Sequence, residues 1–218
     1  MRECQGENHR APGICWPWRR YCRRGDRSGR KCRVTKQAEA AIPVITAPKL
    51  FFALWPDSET RRALATRGKG MFKVSGGRMT RPENLHLTLA FLGPTDATRL
   101  AELEAVAASV KISPCTISLD EAGYWKHNHI DWAGSSKIPD KLAAMVEELR
   151  GALKKNGFRF DPKPFKPHVT LIRDAKDPGE PPKKSIRWKV GGFALVRAYR
   201  DDQGLLYRVV SSCPKVEA

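Results

Sequence analysis

Apolar side chains between residues 49 and 214 recur with two different periods, which predict strands and helices in turn. Where every second residue is apolar we expect a strand, and where the spacing is three or four we expect a helix. Strands are predicted at residues 49–55, 85–92, 115–120, 124–132, 168–172, 186–199 and 205–211. Helices are predicted after Asp57 or Ser58 as far as about Arg67, after Thr95 or Asp96, and from Ile138-Pro139-Asp140 to Gly157.

Glycine and proline supply most of the stop signals between these elements. Gly68 and Gly70 are expected to end the first helix, and a turn at 121–123 is expected to join two strands. The strand at 186–199 is expected to bulge at Gly191-Gly192, and 201–204 to form a hairpin turn. The later helices each carry one apolar stripe, formed by Leu100, Leu103, Val106 and Val110 and by Leu142, Met145, Leu149 and Leu153.

One short pattern occurs twice, as His86-Leu87-Thr88-Leu89 and as His168-Val169-Thr170-Leu171. In both copies a basic residue, a proline and three further residues precede the histidine. The histidines are 82 residues apart (168 − 86), which suits two similar halves of one domain. Strand and helix recur on either side of a midpoint near Gly134. The expected fold class is therefore α+β and bilobal, with two pseudo-equivalent lobes of antiparallel or mixed sheet plus helix around a central cleft.

Each copy places a histidine and a threonine on the same face of a strand, because residues i and i+2 point to one side. Two such faces brought together supply two imidazoles and two hydroxyls around one small anion. One imidazole can remove a proton from a nucleophile while the other protonates a leaving oxygen, as hydrolysis of a phosphodiester requires. A single His-x-Thr is more typical of a half-buried structural histidine, but two copies with matching flanks favour catalysis.

The chain is strongly basic, with a formal net charge of +17. Residues 1–48 hold 11 Lys/Arg and 4 Asp/Glu, so residues 49–218 keep 29 − 19 = +10. A domain this basic favours a polyanionic partner such as RNA, although a well-solvated surface would have the same composition. The only cysteines after residue 48 are Cys115 and Cys213, which suits a reducing cytosol. No apolar stretch approaches the roughly 18 residues that a membrane span needs.

Residues 1–48 show no apolar period and are rich in Arg, Gly, Pro and Cys, so we expect a disordered basic extension. Either it is a basic arm that adds affinity for RNA, or it reflects a start site placed too far upstream. N-terminal sequencing of the native protein separates the two.

Several segments carry a resemblance to a known family. The chain resembles the 2H phosphoesterase superfamily and, more narrowly, the RNA 2′,3′-cyclic phosphodiesterases once described as 2′-5′ RNA ligases. The matching segments are Leu50 to Pro56, Arg81 to Gly93, Pro167 to Arg173 and Phe193 to Arg197. The resemblance covers Lys49 to about Pro214, which defines a domain at 49–214 followed by a short tail at 215–218.

The resemblance implies hydrolysis of a terminal 2′,3′-cyclic phosphate on RNA to a 2′-phosphate, without metal or cofactor. It implies that His86 is the proton donor and His168 the proton acceptor, although the motifs alone are too similar to assign the roles. Thr88 and Thr170 would bind the phosphoryl oxygens, with Arg173 offsetting their charge. Five residues after His168, Arg173 has the wrong parity for that face of a regular strand, so a surface position is the alternative. We further expect a cytoplasmic monomer.

Other functions remain open on the sequence. The chain could be a 2′-5′ RNA ligase acting on tRNA halves, a phosphodiesterase for a small cyclic nucleotide, or a catalytically inactive RNA-binding protein. His127, His129 and Asp131 alternate on a predicted strand, so they could hold a metal or form an exposed polar face. The aromatic strand residues Phe51, Phe52 and Trp55 could stack on a base, but core packing is the more ordinary role.

Overall fold

A computed structural model describes residues 47–177, 184–201 and 204–214. The predictions for the N-terminal extension and the C-terminal tail fall on residues 1–46 and 215–218, which lie outside the described residues. The interior of the predicted hairpin turn, 202–203, also lies outside them.

Ten strands and three α-helices make up the described part of the chain. The strands are β1 (Lys49–Leu54), β2 (Arg78–Met79), β3 (Leu87–Pro94), β4 (Cys115–Leu119), β5 (Glu121–Trp125), β6 (Ile130–Gly134), β7 (His168–Arg173), β8 (Ile186–Val190), β9 (Phe193–Asp201) and β10 (Gly204–Cys213). The helices are α1 (Ser58–Ser75), α2 (Leu100–Ser109) and α3 (Asp140–Lys155), with 3₁₀ turns at Pro82–Asn84 and Ala97–Arg99.

The main sheet has eight strands in the order β10-β9-β1-β3-β7-β6-β5, with β2 added beside β7. The two motif strands, β3 and β7, are antiparallel neighbours at its middle. Each is preceded along the chain by a strand and a helix, β1-α1 before β3 and β6-α3 before β7. In the sheet, β1 flanks β3 and β6 flanks β7. The repeated order of elements confirms the prediction of an α+β fold with two pseudo-equivalent lobes.

The helices cross over between the lobes. Helix α1 follows β1 but packs behind β7, whereas α3 follows β6 but packs behind β3. Buried leucines, methionines and valines of the helices and strands form one core on this side of the sheet. The other side carries the two His-x-Thr pairs. None of the helices in the described residues is long and apolar enough to span a membrane.

The predicted end of the first helix is wrong, because α1 continues past Gly68 and Gly70 to Ser75. It ends at Gly76, whose φ of 61° is left-handed and whose N–H donates to the carbonyl of Phe72. A glycine inside a helix costs about 1 kcal/mol. Burial of a side chain such as Met71 stabilises by roughly 1.5–3 kcal/mol, which outweighs that cost.

Four strand predictions also need correction. Residues 186–199 form two strands, because the chain leaves a separate two-stranded sheet after β8 and joins the main sheet as β9. Strand β4 does not pair with β5, the strand that follows it, but with β8 in the small sheet. Residues 121–123 belong to β5, and the turn lies at 126–129, between β5 and β6. The first motif strand begins at Leu87, directly after His86 and the 3₁₀ turn.

Candidate active site

The two motif strands meet at one pair of residues, Leu87 and Val169. Because partners in an antiparallel pair run in opposite directions, this register places His86 across from Thr170 and Thr88 across from His168. All four side chains line one cleft of about 760 Å³. The histidines are diagonal neighbours, which are about 7–8 Å apart at their Cα atoms. The structure thus brings together the four His-x-Thr residues that the sequence predicted.

A β-bulge lies at the last residue of each motif. In β3, Thr88 and Ala90 pair with adjacent residues of β1, so Leu89 is skipped. In β7, Thr170 and Ile172 pair with adjacent residues of β6, so Leu171 is skipped. Such an extra residue reverses the alternation of side chains beyond it.

Because of this reversal, the residue five positions after each histidine faces the cleft. Arg173 therefore lines the cleft beside His168 and Thr170, and the alternative of an unrelated surface position is wrong. Phe91 occupies the equivalent place after His86, where 45% of its surface is exposed. The cleft is consequently symmetric in its histidines and threonines and asymmetric at this position.

The carbonyl of each skipped leucine has a partner outside the strand ladder. Thr80 donates its backbone N–H to the Leu171 oxygen at 2.8 Å. Arg150 of α3 donates to the Leu89 oxygen from Nε at 3.2 Å and from Nη2 at 3.1 Å. Its Nη1 also donates to the carbonyl of Lys163 at 2.9 Å, in the segment that leads to His168. Arg150 thereby connects the first motif strand to the approach of the second.

Each catalytic candidate is held by the same kind of hydrogen bond, from its ring Nδ1 to the backbone carbonyl two residues earlier. The Nδ1 of His86 lies 2.6 Å from the carbonyl oxygen of Asn84, and the Nδ1 of His168 lies 2.7 Å from that of Lys166. A carbonyl oxygen can only accept, so Nδ1 carries a proton in each ring. In the neutral imidazole Nε2 is then unprotonated and remains available for proton transfer.

Aromatic rings surround the two histidines unequally. His86 is enclosed by Phe51, Trp55 and Tyr207, with ring centroids at 4.9, 5.9 and 4.8 Å. The pKa of His86 is lowered to about 4, mainly by this burial and to a smaller extent by the positive charge of Arg173. The ring centroid of His168 lies 4.6 Å from that of Trp125. Burial also lowers the pKa of His168. Both imidazoles are therefore neutral in the empty cleft at pH 7.

Several residues that the sequence analysis did not select support the site. The buried side chain of Asn84 bridges to strand β10, donating to the carbonyl of Leu205 at 2.8 Å and accepting from the N–H of Tyr207 at 3.2 Å. Burial raises the pKa of Tyr207, and the nearby positive charge of Arg173 opposes part of that rise. The partners of Asn84 are more than 120 residues away along the chain, so no local pattern could have identified them.

The charged groups that line the cleft are mainly basic. Its cationic side chains are Lys49, Arg150, Lys163, Lys166, Arg173 and Arg200. Asp161 contributes a carboxylate, which lies 3.5 Å from the ammonium of Lys163. A cleft with this charge suits an anionic ligand.

The three residues considered as metal ligands do not lie together: His127 lines the cleft near Trp125, whereas the other two lie elsewhere. His129 lies in the turn, where its Nδ1 is 2.8 Å from the hydroxyl of Tyr124. Asp131 is fully buried, and burial raises the pKa of its carboxyl. Across residues 47–177, 184–201 and 204–214, no three His, Cys, Asp or Glu side chains are grouped to hold a metal. Phe51 packs on His86 and Phe52 is fully buried, so neither supplies a free stacking surface.

Comparisons with known proteins agree with this arrangement. The family model of LigT-like phosphoesterases matches residues 54–131 and 134–207, one match for each half of the chain. The RNA 2′,3′-cyclic phosphodiesterase of Escherichia coli is 33% identical over 140 residues, which cover 64% of this chain and 80% of that protein. The enzyme of the same name from Thermus thermophilus is 32% identical over 176 residues, covering 74% and 87%.

Solved structures show the same fold. The apo crystal structure of Escherichia coli LigT superposes with a TM-score of 0.69 at 29% identity, covering 77% of this chain and 96% of that one. Its complex with 3′-AMP gives the same TM-score at 30% identity, covering 76% and 97%.

Proposed function

The chain belongs to the LigT-like phosphoesterase family, and on that premise we propose that it is an RNA 2′,3′-cyclic phosphodiesterase. The enzyme opens the terminal 2′,3′-cyclic phosphate of an RNA and leaves a 2′-phosphate. One observation carries the proposal: two imidazoles, each oriented by a carbonyl two residues earlier, face one basic cleft from adjacent strands.

In the proposed reaction a water molecule attacks phosphorus and the bond from phosphorus to the 3′ oxygen breaks. His168 accepts the proton of the water at Nε2. His86 donates its Nε2 proton to the departing 3′ oxygen, so that both proton transfers are internal to the site. Because the imidazoles supply both transfers, the reaction as proposed uses no metal ion and no cofactor.

The phosphoryl oxygens are held by Thr88, Thr170 and Arg173. The two hydroxyls donate from opposite halves of the cleft, where they lie across from the histidines. The guanidinium of Arg173 offsets the negative charge that grows on these oxygens in the transition state.

The role of His86 as the donor requires that it gain a proton with the substrate. Its lowered pKa of about 4 leaves it neutral in the empty cleft. The negative phosphodiester favours the imidazolium form and raises the pKa of a histidine beside it. Substrate binding and proton uptake are therefore coupled.

RNA is the proposed substrate because a basic cleft and a domain with a charge of +10 suit a polyanion. The names of the relatives support this choice. We further propose that the protein acts as a monomer in the cytoplasm, since both His-x-Thr pairs come from one chain and residues 49–218 contain only two cysteines.

The decisive experiment uses purified protein, an oligoribonucleotide with a 2′,3′-cyclic phosphate end, and EDTA in excess. The expected product is a 2′-phosphate, identified by chromatography against 2′- and 3′-phosphate standards. An intact cyclic end, a 3′-phosphate product or complete inhibition by EDTA would contradict the proposal. Adding an RNA with a 5′-hydroxyl to the same reaction tests for a 2′-5′ ligase, which would join the strands.

A further inference from the structure

We propose that one side of the cleft binds the phosphodiester that precedes the terminal nucleotide, so that the enzyme selects RNA chains over mononucleotides. This inference rests on the proposed function. We name this side the β9 flank, defined by Lys49, Phe91, Arg200 and Leu205, all of which line the cleft.

The strand register places the β9 flank next to the catalytic groups. Tyr207, which packs on His86, pairs with Ala198 of β9, and Ala198 pairs in turn with Lys49 of β1. Arg200 pairs with Leu205, two residues further along the same strands. Two residues of an extended strand span about 7 Å, so Arg200 lies on the same face a short step beyond the histidines.

The β9 flank offers charge and apolar surface together. Lys49 and Arg200 are exposed, and no ion pair within the described part of the chain involves either of them. Leu205 is 38% exposed and Phe91 45% exposed, so the flank presents two apolar side chains together with its cations. Cations next to exposed apolar side chains suit a nucleotide chain, which is charged at phosphate and apolar on the faces of its bases.

The segment on the far side of β3 from Lys49, where the N–H of Asp161 donates to the carbonyl of Phe91, is less suited to a second phosphate. There the ammonium of Lys163 lies 3.5 Å from the carboxylate of Asp161. The ammonium of Lys166 lies over the ring of Trp132, 4.4 Å from its centre. An incoming phosphate would have to compete with both contacts and would meet the charge of Asp161.

The chemistry of the substrate fixes which phosphate is involved. A 2′,3′-cyclic phosphate occupies the 3′ end of an RNA, so the chain can continue only through the 5′ oxygen of the terminal nucleotide. The next phosphate is therefore one nucleotide away from the histidines, and Lys49 and Arg200 are the cations that the β9 flank offers to it.

The test compares three substrates on the wild-type enzyme: a cyclic mononucleotide, a dinucleotide with a cyclic end, and the same dinucleotide with an uncharged methylphosphonate linkage. A charge-assisted contact predicts a kcat/KM at least about 10-fold higher for the dinucleotide than for the mononucleotide. The methylphosphonate should lose most of that advantage. Equal kcat/KM values for the dinucleotide and its methylphosphonate would overturn the inference.

Variants locate the contact. Lys49→Gln and Arg200→Gln should each lower the ratio of dinucleotide to mononucleotide kcat/KM by about 3-fold or more. Arg197→Gln is the matched control, because it removes the same charge from the opposite face of β9 and should keep the ratio. A ratio that falls equally in all three variants, or in none, overturns the inference. Failure to hydrolyse any of the cyclic phosphates would instead overturn the proposed function.

Discussion

Phe91 and Arg173 occupy equivalent positions in the two halves of the cleft, each five residues after a histidine and just beyond a bulge. A two-fold arrangement of histidines and threonines would bind a phosphodiester equally well in two orientations. At this position only the half of the cleft that contains His168 has a guanidinium, that of Arg173. The negative oxygens of the phosphodiester therefore bind in one preferred orientation. This difference lets two nearly identical motifs take different roles.

The first prediction concerns the two histidines. His86→Gln and His168→Gln should each lower kcat on a cyclic-ended RNA by about 10²–10⁴-fold, because each removes one proton transfer. Steady-state kinetics on folded protein measure the effect. His129→Asn, in the turn outside the cleft, is the control and should remain active. Near-full activity in either cleft variant would contradict the mechanism.

The second prediction separates the charge of Arg173 from its shape. Arg173→Lys keeps a cation but loses the planar guanidinium, which can bind two phosphoryl oxygens at once. We expect kcat to fall by about 10–100-fold with a smaller change in KM. Arg78→Gln removes an exposed cation from β2, the strand beside Arg173, and serves as the control. An Arg173→Lys enzyme as active as the wild type would refute the assignment.

The third prediction is the pH dependence of activity. Because burial lowers the pKa of both histidines below 6.5, kcat/KM, which reports the free enzyme, should be greatest below pH 6.5. Bound phosphate raises both pKa values, so kcat should be greatest at a higher pH. Profiles of both constants between pH 4.5 and 9 test this. Coincident optima near pH 8 would be inconsistent with buried neutral imidazoles.

The fourth prediction concerns stability. The pKa of His86 is about 4 in the folded protein and about 6.5 when unfolded, so between these values the unfolded chain binds the extra proton. The free energy of unfolding should therefore fall as pH falls from 6.5 to 4, by up to roughly 3 kcal/mol from this group. Urea denaturation at several pH values measures it. His86→Gln should flatten this slope, and an unchanged slope would count against the buried imidazole.

The fifth prediction tests Arg150 as a positioning residue. Arg150→Lys retains the charge but cannot bond the carbonyls of Leu89 and Lys163 together. Loosening the bulge should displace Thr88, so we expect kcat to fall by about 10-fold. A purely structural role would lower the melting temperature and leave the kcat of the folded enzyme unchanged. Kinetics and thermal denaturation on the same preparation distinguish the two.

The sequence predicted the His-x-Thr faces because strand alternation is a local property that needs no knowledge of partners. Strand alternation alone places Arg173 on the other face, and only the family resemblance selected it, since the skipped Leu171 depends on the pairing of β7 with β6. Helix α1 was predicted too short because the packing of Met71 on the sheet is a tertiary effect. The division between β8 and β9 was missed for the same reason, as the partner of β8 lies about 70 residues earlier. Local chemistry was therefore predictable, whereas contacts between distant segments were not.

The crossing of α1 behind β7 and of α3 behind β3 has a consequence for folding. Each motif strand is covered by a helix that belongs to the other half of the chain, so neither half contains a complete hydrophobic interior. A fragment that ends near Gly134 would lack α3, which covers β3, and β7, on which α1 packs. Although the sequence is built as a repeat, the domain should behave as one cooperative unit and unfold in a single transition.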